Sequence, residues 1–197
     1  MTPLFLGSHP AMDFFNTAMT PMGTPVELIG DGRAFVDWLV AAGLLEAAAA
    51  TRARRRFGVE ALDAVATTAR ELRGWARDWI ERWREDPTVD YTVEVRRLNL
   101  LLSRGNGFRQ IAATDDGWQV VDHSRVDVAA DLVLLIAPSI AAIVTTEEPT
   151  CVRRCAGHAC SLMFVDRTKA HRRLFCSAGT CGNRMKVAAF RERQRRG

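Results

Sequence analysis

Cys155-Ala-Gly-His-Ala-Cys160 and Cys176-Ser-Ala-Gly-Thr-Cys181 are two cysteine pairs with the same C-x4-C spacing, and fifteen residues separate them. Small residues fill both loops, so the backbone can turn tightly around an ion without side chains in the way. Four thiolates brought together from two short loops meet the tetrahedral requirement of a structural zinc site, with each sulfur about 2.3 Å from the ion. The spacing therefore predicts one structural Zn2+ whose ligands are Cys155, Cys160, Cys176 and Cys181.

Other roles for the cysteines remain open from the residues alone. They could form disulfides, stay as buried thiols or hold an iron–sulfur cluster, and His158 or His171 could replace one cysteine as a ligand. The N-terminus has neither the basic start nor the apolar core of a secretory signal. We therefore expect a cytoplasmic protein with reduced thiols, which favours a metal over disulfides. Cys151 is expected to be a separate buried thiol rather than a fifth ligand.

The residues around the cysteines resemble the CGNR zinc finger family. Cys181-Gly-Asn-Arg184 supplies the four residues for which that family is named, and the resemblance covers about the last forty-five residues. Leu162-Met163 and Phe175 stand where the family often has tryptophan or another aromatic residue, but they keep the bulk and the apolar character of those positions. The resemblance implies a finger with four cysteine ligands that contacts duplex DNA.

The preceding part of the chain is similar to ABATE, the helical domain that this finger follows in the family. The similar segments are Met12-Asp-Phe-Phe-Asn-Thr17 and Arg97-Leu-Asn-Leu-Leu101. ABATE is regarded as a small-molecule sensor in stress-related transcription regulators, so the resemblance implies a ligand site near Asp13, Asn16 and Asn99. Helix capping and core hydrogen bonds are an equally ordinary role for these three side chains.

Charge divides the chain into two parts of opposite sign. Residues 151–197 contain twelve Lys or Arg and two acidic residues, a net charge of +10, whereas residues 1–150 have a net charge of −6. The whole chain has a net charge of +4. Such asymmetry is typical of an acidic body joined to a cationic module that binds polyanions.

A basic helix is predicted after the last cysteine, from Arg184 to Arg196, with Val187 and Phe190 facing inward. Arginine and lysine side chains on the finger could contact phosphates, and arginine can also bind guanine edges. The predicted DNA-contacting residues are Arg172, Arg173, Arg184, Lys186, Arg191, Arg193 and Arg195. A protein-interaction module that docks an acidic protein partner, or a frayed basic tail, would show the same charges.

The rest of the chain predicts a helical domain. Apolar residues with helical spacing predict helices at about 11–18, 32–42, 44–56, 59–84, 93–104 and 126–144, the last with a kink at Pro138. Thr-Asp-Asp-Gly117 predicts the turn of one β-hairpin. The predicted fold class is therefore mainly α: a helical domain with one small β-hairpin at residues 1–148, and a four-cysteine zinc finger followed by a basic helix at residues 149–197.

A regulator is expected rather than an enzyme. Four thiolates close the zinc coordination sphere and leave no position for an activated water, and no nucleophile–base pair or phosphate loop is recognisable. Trp75, Trp79 and Trp83 favour core packing over an aromatic ligand pocket. The uncharged run at 132–144 is too short to span a membrane. The predicted function is a DNA-binding transcription regulator that senses a small molecule, with a homodimer expected because such regulators often bind paired half-sites.

Overall fold

A computed structural model describes residues 5–105, 107–114 and 117–196 of the protein. The fold of these residues is mainly helical, which confirms the predicted class. The helices are α1 (Pro10–Phe15), α2 (Gly32–Ala41), α3 (Ala47–Arg56), α4 (Val59–Glu85), α5 (Thr92–Leu102), α6 (Asp131–Leu134), α7 (Ala137–Thr146) and α8 (Asn183–Arg196). The strands are β1 (Ala18–Met19), β2 (Val26–Glu27), β3 (Gly107–Thr114), β4 (Gly117–Ser124), β5 (Val152–Arg154) and β6 (Met163–Val165). Within the described residues they form three antiparallel pairs, β1 with β2, β3 with β4 and β5 with β6.

The described residues form two compact units. Residues 5–29, 72–90 and 139–196 make up the first unit, and residues 30–71 and 91–138 make up the second. The first unit therefore combines the N-terminal segment, the second half of α4 and the cysteine-rich region. The division of the chain between residues 148 and 149 is predicted from a polar segment, residues 145–150, that contains the helix breaker Pro149, and it stays a prediction.

In the second unit, α2 begins where the sequence predicts it. The Asp31 side chain accepts a hydrogen bond from the Ala34 N–H at 2.7 Å and so caps the helix. Gly43, which has a positive φ of 70°, follows its C-terminal end. Gly32 lets α2 approach α4 closely, because an added Cβ would lie 2.3 Å from the backbone carbon of Leu62. A larger residue at position 32 would therefore push the two helices apart.

Three helices differ from their predicted ranges. The helix expected at about 11–18 ends at Phe15, and Ala18 belongs to β1 instead. The helix expected at 44–56 begins at Ala47, since Glu46 before it has an extended backbone. The single helix expected at 126–144 is wrong, because α6 and α7 are separate helices and Pro138 is the second residue of α7 rather than an interior kink. Proline fits the first turn of a helix, where its missing N–H would have no partner within the helix.

The predicted β-hairpin is present in the second unit. Strands β3 and β4 pair from Gly107 with Ser124 to Thr114 with Gly117. Its predicted turn residues Asp115 and Asp116 lie outside the described residues. One face of the hairpin is apolar and open to solvent, because the side chains of Ile111, Trp118 and Val120 are 67%, 78% and 65% exposed.

A buried arginine holds the short strands of the first unit against α4. The Arg73 guanidinium forms a bidentate ion pair with Glu27 and donates to the Thr17 hydroxyl at 2.8 Å. Paired in this way, a buried charge retains most of the interactions that it would have in water. On the same helix Trp79 is buried and packs in the core, and the ring centroid of the partly buried Trp75 lies 5.6 Å from its own. None of the helices in the described ranges is long and apolar enough to cross a membrane.

Candidate metal centre and basic helix

The four predicted ligands come together as a compact group of thiols. The Sγ atoms of Cys155, Cys160, Cys176 and Cys181 all lie within 4.8 Å of one another. The Sγ–Sγ distance is 3.6 Å between Cys176 and Cys181 and 3.9 Å between Cys160 and Cys176. Zinc–sulfur bonds of about 2.3 Å give a tetrahedron with edges of about 3.8 Å, so these sulfurs fit one tetrahedral ion.

Neither candidate histidine belongs to this group. His158 is exposed, and the His171 Nδ1 atom lies 3.3 Å from the Cys151 Sγ and 3.1 Å from the Asp166 carbonyl oxygen. The metal-binding group found in the described ranges consists of the four cysteines. All five cysteines are free thiols. This geometry favours a four-cysteine metal site over the histidine and disulfide alternatives.

Close backbone packing shapes the first cysteine loop. Directly after β5, the Cys155 N–H donates to the Leu162 carbonyl at 2.9 Å. Gly157 lies so near the sulfurs that an added Cβ would be 3.2 Å from the Cys181 Sγ and 3.3 Å from the Cys155 Sγ. Glycine at this position therefore lets the first loop pass beside sulfurs from both pairs.

The second cysteine loop leads directly into the basic helix. Ser177 begins it, with a hydroxyl that accepts a hydrogen bond from the Thr180 N–H at 3.2 Å, and Ala178–Gly182 form a single π-helical turn. Cys181 is buried in this turn, and α8 begins two residues later at Asn183. The fourth sulfur therefore ties the start of α8 to the metal centre.

Burial and mutual proximity control the acidity of the thiols. Burial opposes the ionisation of Cys155, but the N–H groups of Cys176 and Gly157, at 3.3 and 3.4 Å from its Sγ, bring its pKa below the usual value. Burial raises the pKa of the Cys160 thiol to about 11, and burial together with the neighbouring sulfurs also raises the pKa of Cys176. Four sulfurs this close cannot all become thiolates unless a cation compensates their charge, which is what a bound Zn2+ would supply.

Both parts of the chain match known families. Residues 152–194 match the CGNR zinc finger family. Residues 8–147 match the ABATE family, which carries the description "Putative stress-induced transcription regulator". The chain belongs to the ABATE family. Both resemblances stated from the sequence are thereby confirmed. No curated protein matches the chain.

The start of the ABATE region and the zinc finger share one apolar cluster. Its buried members are Met19, Leu162, Phe164, Cys155, Cys176 and Cys181, with Leu6, Val26, Leu28, Cys160 and Phe175 packed against them. Backbone hydrogen bonds join the same segments, since the Val165 N–H donates to the Gly7 carbonyl at 2.8 Å and the Gly23 N–H to the Ala159 carbonyl at 3.0 Å. The finger is therefore packed together with residues 5–29 of the ABATE region.

Asp13 and Asn16 of the ABATE region, two of the three predicted ligand-binding residues, hydrogen-bond within the protein itself. The Asn16 amide donates to the Met163 carbonyl and accepts from the Met163 N–H, both at 2.8 Å. Asp13 accepts from the Gly7 N–H at 2.7 Å, and burial raises its pKa to about 6. Asn99 is exposed on α5 of the second unit. These contacts support a structural role for Asn16 and Asp13, and ligand binding by the three residues stays a prediction.

We expect the Asn16→Ala variant to lose about 2–4 kcal/mol of unfolding free energy, because it leaves the N–H and carbonyl of Met163 unpaired in the core. Urea denaturation of the zinc-loaded protein, followed by circular dichroism, measures this loss. Asn99→Ala changes the same residue type at an exposed helical position and should shift the free energy by less than about 0.5 kcal/mol. Equal stability of the two variants would contradict the structural role of Asn16.

Six of the seven predicted DNA-contacting residues have no partner elsewhere in the described part of the ABATE protein. The side chains of Arg172, Arg184, Lys186, Arg191, Arg193 and Arg195 form no hydrogen bond or ion pair with another described residue. Arg173 differs, because its guanidinium lies 4.1 Å from the centroid of the Phe164 ring. It also donates to the Ser8 hydroxyl and to the carbonyls of Leu6, Phe175 and Cys176. These contacts hold the segment between the cysteine pairs and leave Arg173 few free donors for a phosphate.

The expectation that Val187 and Phe190 face inward is wrong. Their side chains are 43% and 54% exposed on α8. The shared apolar cluster explains this exposure, because its described members come from the finger and from the N-terminal segment around Met19, and none of them lies on α8. Because the ABATE region covers the core of the finger, α8 does not have to do so.

Asp166 is a structural residue of the finger that sequence analysis missed. Its carboxylate accepts hydrogen bonds from the Thr168 N–H at 3.0 Å, the Thr168 hydroxyl at 2.6 Å and the Arg173 N–H at 2.7 Å. Burial alone would raise its pKa, but these hydrogen bonds and the nearby Arg153 charge hold the pKa below its usual value. An aspartate followed by threonine two residues later is a sequence signal for this kind of turn.

Proposed function

We propose that this ABATE family protein is a cytoplasmic, stress-responsive transcription regulator that binds duplex DNA through its finger and α8, and binds a small molecule through its helical region. The DNA-binding part rests mainly on one observation: Cys181, the last zinc ligand, lies in the turn that leads into α8. Metal binding would therefore hold the cationic helix in a fixed direction relative to the finger. A fixed set of cations suits the regular spacing of phosphates along a duplex.

The cations of α8 fall on two sides of the helix. Arg184, Arg191 and Arg195 are separated by seven and then four residues, and these spacings bring side chains to one side. Lys186 and Arg193, also seven residues apart, lie on another side. A helix with cations on two sides can contact the phosphates on both edges of a major groove.

The proposal assigns no reaction to the protein. Four thiolates fill a tetrahedral zinc site and leave no position for a substrate or an activated water. The ion would instead stabilise the fold, as it does in other small modules whose thiolate ligands must be assembled around a metal.

A homodimer is part of the proposal. Ile111, Trp118 and Val120 form the exposed apolar face of the β3–β4 hairpin. Two copies could bury these faces against each other around a two-fold axis, which would remove three large apolar side chains from water. Such a dimer would also provide two fingers for paired half-sites.

Binding of the zinc-loaded protein to a mixed-sequence DNA duplex across a salt series tests the proposal. About five phosphate contacts predict a slope near −4.5 in a plot of log K against log salt, which is a loss of about 500-fold in affinity between 50 and 200 mM. Removal of zinc with a chelator is expected to abolish binding, because α8 then loses its attachment to the finger.

Two triple variants separate phosphate contacts from net charge. The first variant combines Arg184→Gln, Arg191→Gln and Arg195→Gln, which remove three charges from α8. It should reduce the magnitude of the slope by about 2.7 while zinc stays bound. The control removes three exposed charges from the second unit and should leave the slope unchanged; these substitutions are Arg33→Gln, Arg96→Gln and Arg104→Gln. Absence of binding even at low salt would contradict the DNA proposal and would favour an acidic protein partner.

A further inference from the structure

A cavity of about 840 Å³ lies in the second unit, where α3 and the segment before it face one end of the β3–β4 hairpin. Residues from 43–57 line one side, and Phe108 with residues 124–127 lines the other. Its volume falls in the range of pockets that enclose small organic molecules, which is about 300–1,000 Å³. The cavity contains none of the residues of the metal centre and none of the three residues for which the family resemblance implied a ligand site.

Four arginines line this cavity, against two carboxylates. The arginines are Arg52, Arg55, Arg56 and Arg125, and the carboxylates are Glu46 and Asp127. The side chains of Arg52 and Arg55 form no ion pair or hydrogen bond with any other residue in the described ranges. Arg54 in the same run does not line the cavity and forms an ion pair with Asp37. The unpaired cations Arg52 and Arg55 of α3 thus line the cavity, whereas Arg54, which lies outside it, forms an ion pair.

Aromatic rings hold the other two arginines. The Arg125 guanidinium lies 4.8 Å from the centroid of the Phe108 ring, and the Arg56 guanidinium lies 5.5 Å from that of Phe57. A guanidinium that stacks over an aromatic ring contacts the ring with its flat face. The N–H donors along the edge of the guanidinium therefore stay available for an anion. A planar fork of this kind binds a carboxylate, sulfonate or phosphate with two parallel hydrogen bonds. Phe57 and Phe108 line the same cavity and offer apolar surface to the rest of such a ligand.

We infer that this cavity binds a small organic anion, a molecule with one carboxylate, sulfonate or phosphate group and a flat apolar part. Arg52 and Arg55 supply the unpaired charge, Arg56 and Arg125 supply oriented donors, and the two phenylalanines contact the apolar part. This inference deepens the small-molecule part of the proposed function and is independent of the DNA-binding part. It places ligand recognition in this cavity rather than at Asp13, Asn16 and Asn99.

Two naphthylamine probes test the inference on the intact, zinc-loaded protein. The anionic probe is 8-anilinonaphthalene-1-sulfonate, and N-phenyl-1-naphthylamine is its neutral counterpart without the sulfonate. The double variant Arg52→Gln and Arg55→Gln should raise the Kd of the anionic probe by about tenfold or more, because two charge-assisted contacts are lost. The same variant should change the Kd of the neutral probe by less than about twofold, because glutamine is a good helix former and α3 keeps its shape.

Matched variants locate the probe. Arg54→Gln removes one charge from the same helix outside the cavity and should change the Kd of the anionic probe by less than about twofold. Trp118→Ser should also leave it unchanged, which excludes binding to the exposed face of the hairpin. Wild-type affinity for the anionic probe in the double variant, or loss of the signal in Trp118→Ser, would overturn the inference. A protein that binds DNA but not the probe would contradict this inference alone, whereas one that binds the probe but not DNA would contradict only the DNA proposal.

Discussion

The Cys176→Ser variant is expected to bind less than about 0.1 zinc per chain and to lose at least about a thousandfold in DNA affinity. Metal binding contributes about 10–16 kcal/mol to the folding of small thiolate modules, so the loss of one of four ligands removes most of that stabilisation. The effect on DNA follows from the position of Cys181 at the start of α8. When the cysteine pairs separate, the basic helix is no longer held in one direction.

The same variant should also loosen the start of the ABATE region. From the sequence, a helical body unaffected by the loss of one cysteine is the natural expectation, because the finger looks like a separate module. The structure predicts otherwise, since Met19 packs in one cluster with Cys155, Cys176 and Cys181, and Val165 hydrogen-bonds to Gly7. Amide hydrogen exchange should therefore accelerate in residues 5–29 as well as in 152–183.

Cys151→Ser is the matched control for this experiment, because it makes the same substitution at a cysteine outside the thiol group. Zinc content measured by mass spectrometry should stay near one ion per chain in the control. Exchange in the second unit, for example in α2 and α3, should be unchanged in both variants. A Cys176→Ser protein that retains a full zinc ion and wild-type exchange would show that the four thiols do not hold the metal.

Short-range patterns in the sequence were sufficient for much of this fold and for the group of four cysteines that could hold a metal ion. The helical period from Leu62 to Trp83 predicts a helix at 59–84, and α4 runs from Val59 to Glu85. The cysteine spacing selects the same four residues that the structure brings together. Both signals depend on residues that are close in the chain, where the spacing alone constrains the backbone.

The errors come from contacts between distant segments. Asn16 and Met163 are 147 residues apart, and no local pattern indicates that the Asn16 side chain pairs with the backbone N–H and carbonyl of Met163. The exposure of Phe190 has the same origin, because residues from the other end of the chain fill the core of the finger. Arg173 reads as one more surface cation in the sequence, although its donors are directed to Leu6, Ser8 and two carbonyls of its own segment.

The Asp166→Asn variant is expected to lower the zinc affinity by about 100-fold, although Asp166 is not a ligand. Asp166 holds the segment between the two cysteine pairs through Thr168 and the Arg173 N–H. The side-chain amide of the variant keeps one acceptor oxygen, but its NH2 group then faces an N–H group that the lost oxygen had accepted from. Two buried donors that face each other without an acceptor cost about 1–3 kcal/mol. Because metal binding and folding of the finger are one equilibrium, this cost appears as a weaker zinc affinity.

Competition with a coloured chelator at pH 6 to 8 measures this affinity, and Asp78→Asn on the exposed side of α4 is the matched control. The folded-state pKa of Asp166 lies below its usual value, so the carboxylate stabilises the fold at every pH above about 4 and loses this effect only as the pH falls through the folded pKa. The difference between wild type and Asp166→Asn should therefore be constant across pH 6 to 8. A difference that shrinks as the pH falls from 8 to 6 would mean that the carboxylate takes up a proton in this range, and that its hydrogen bonds do not hold it ionised.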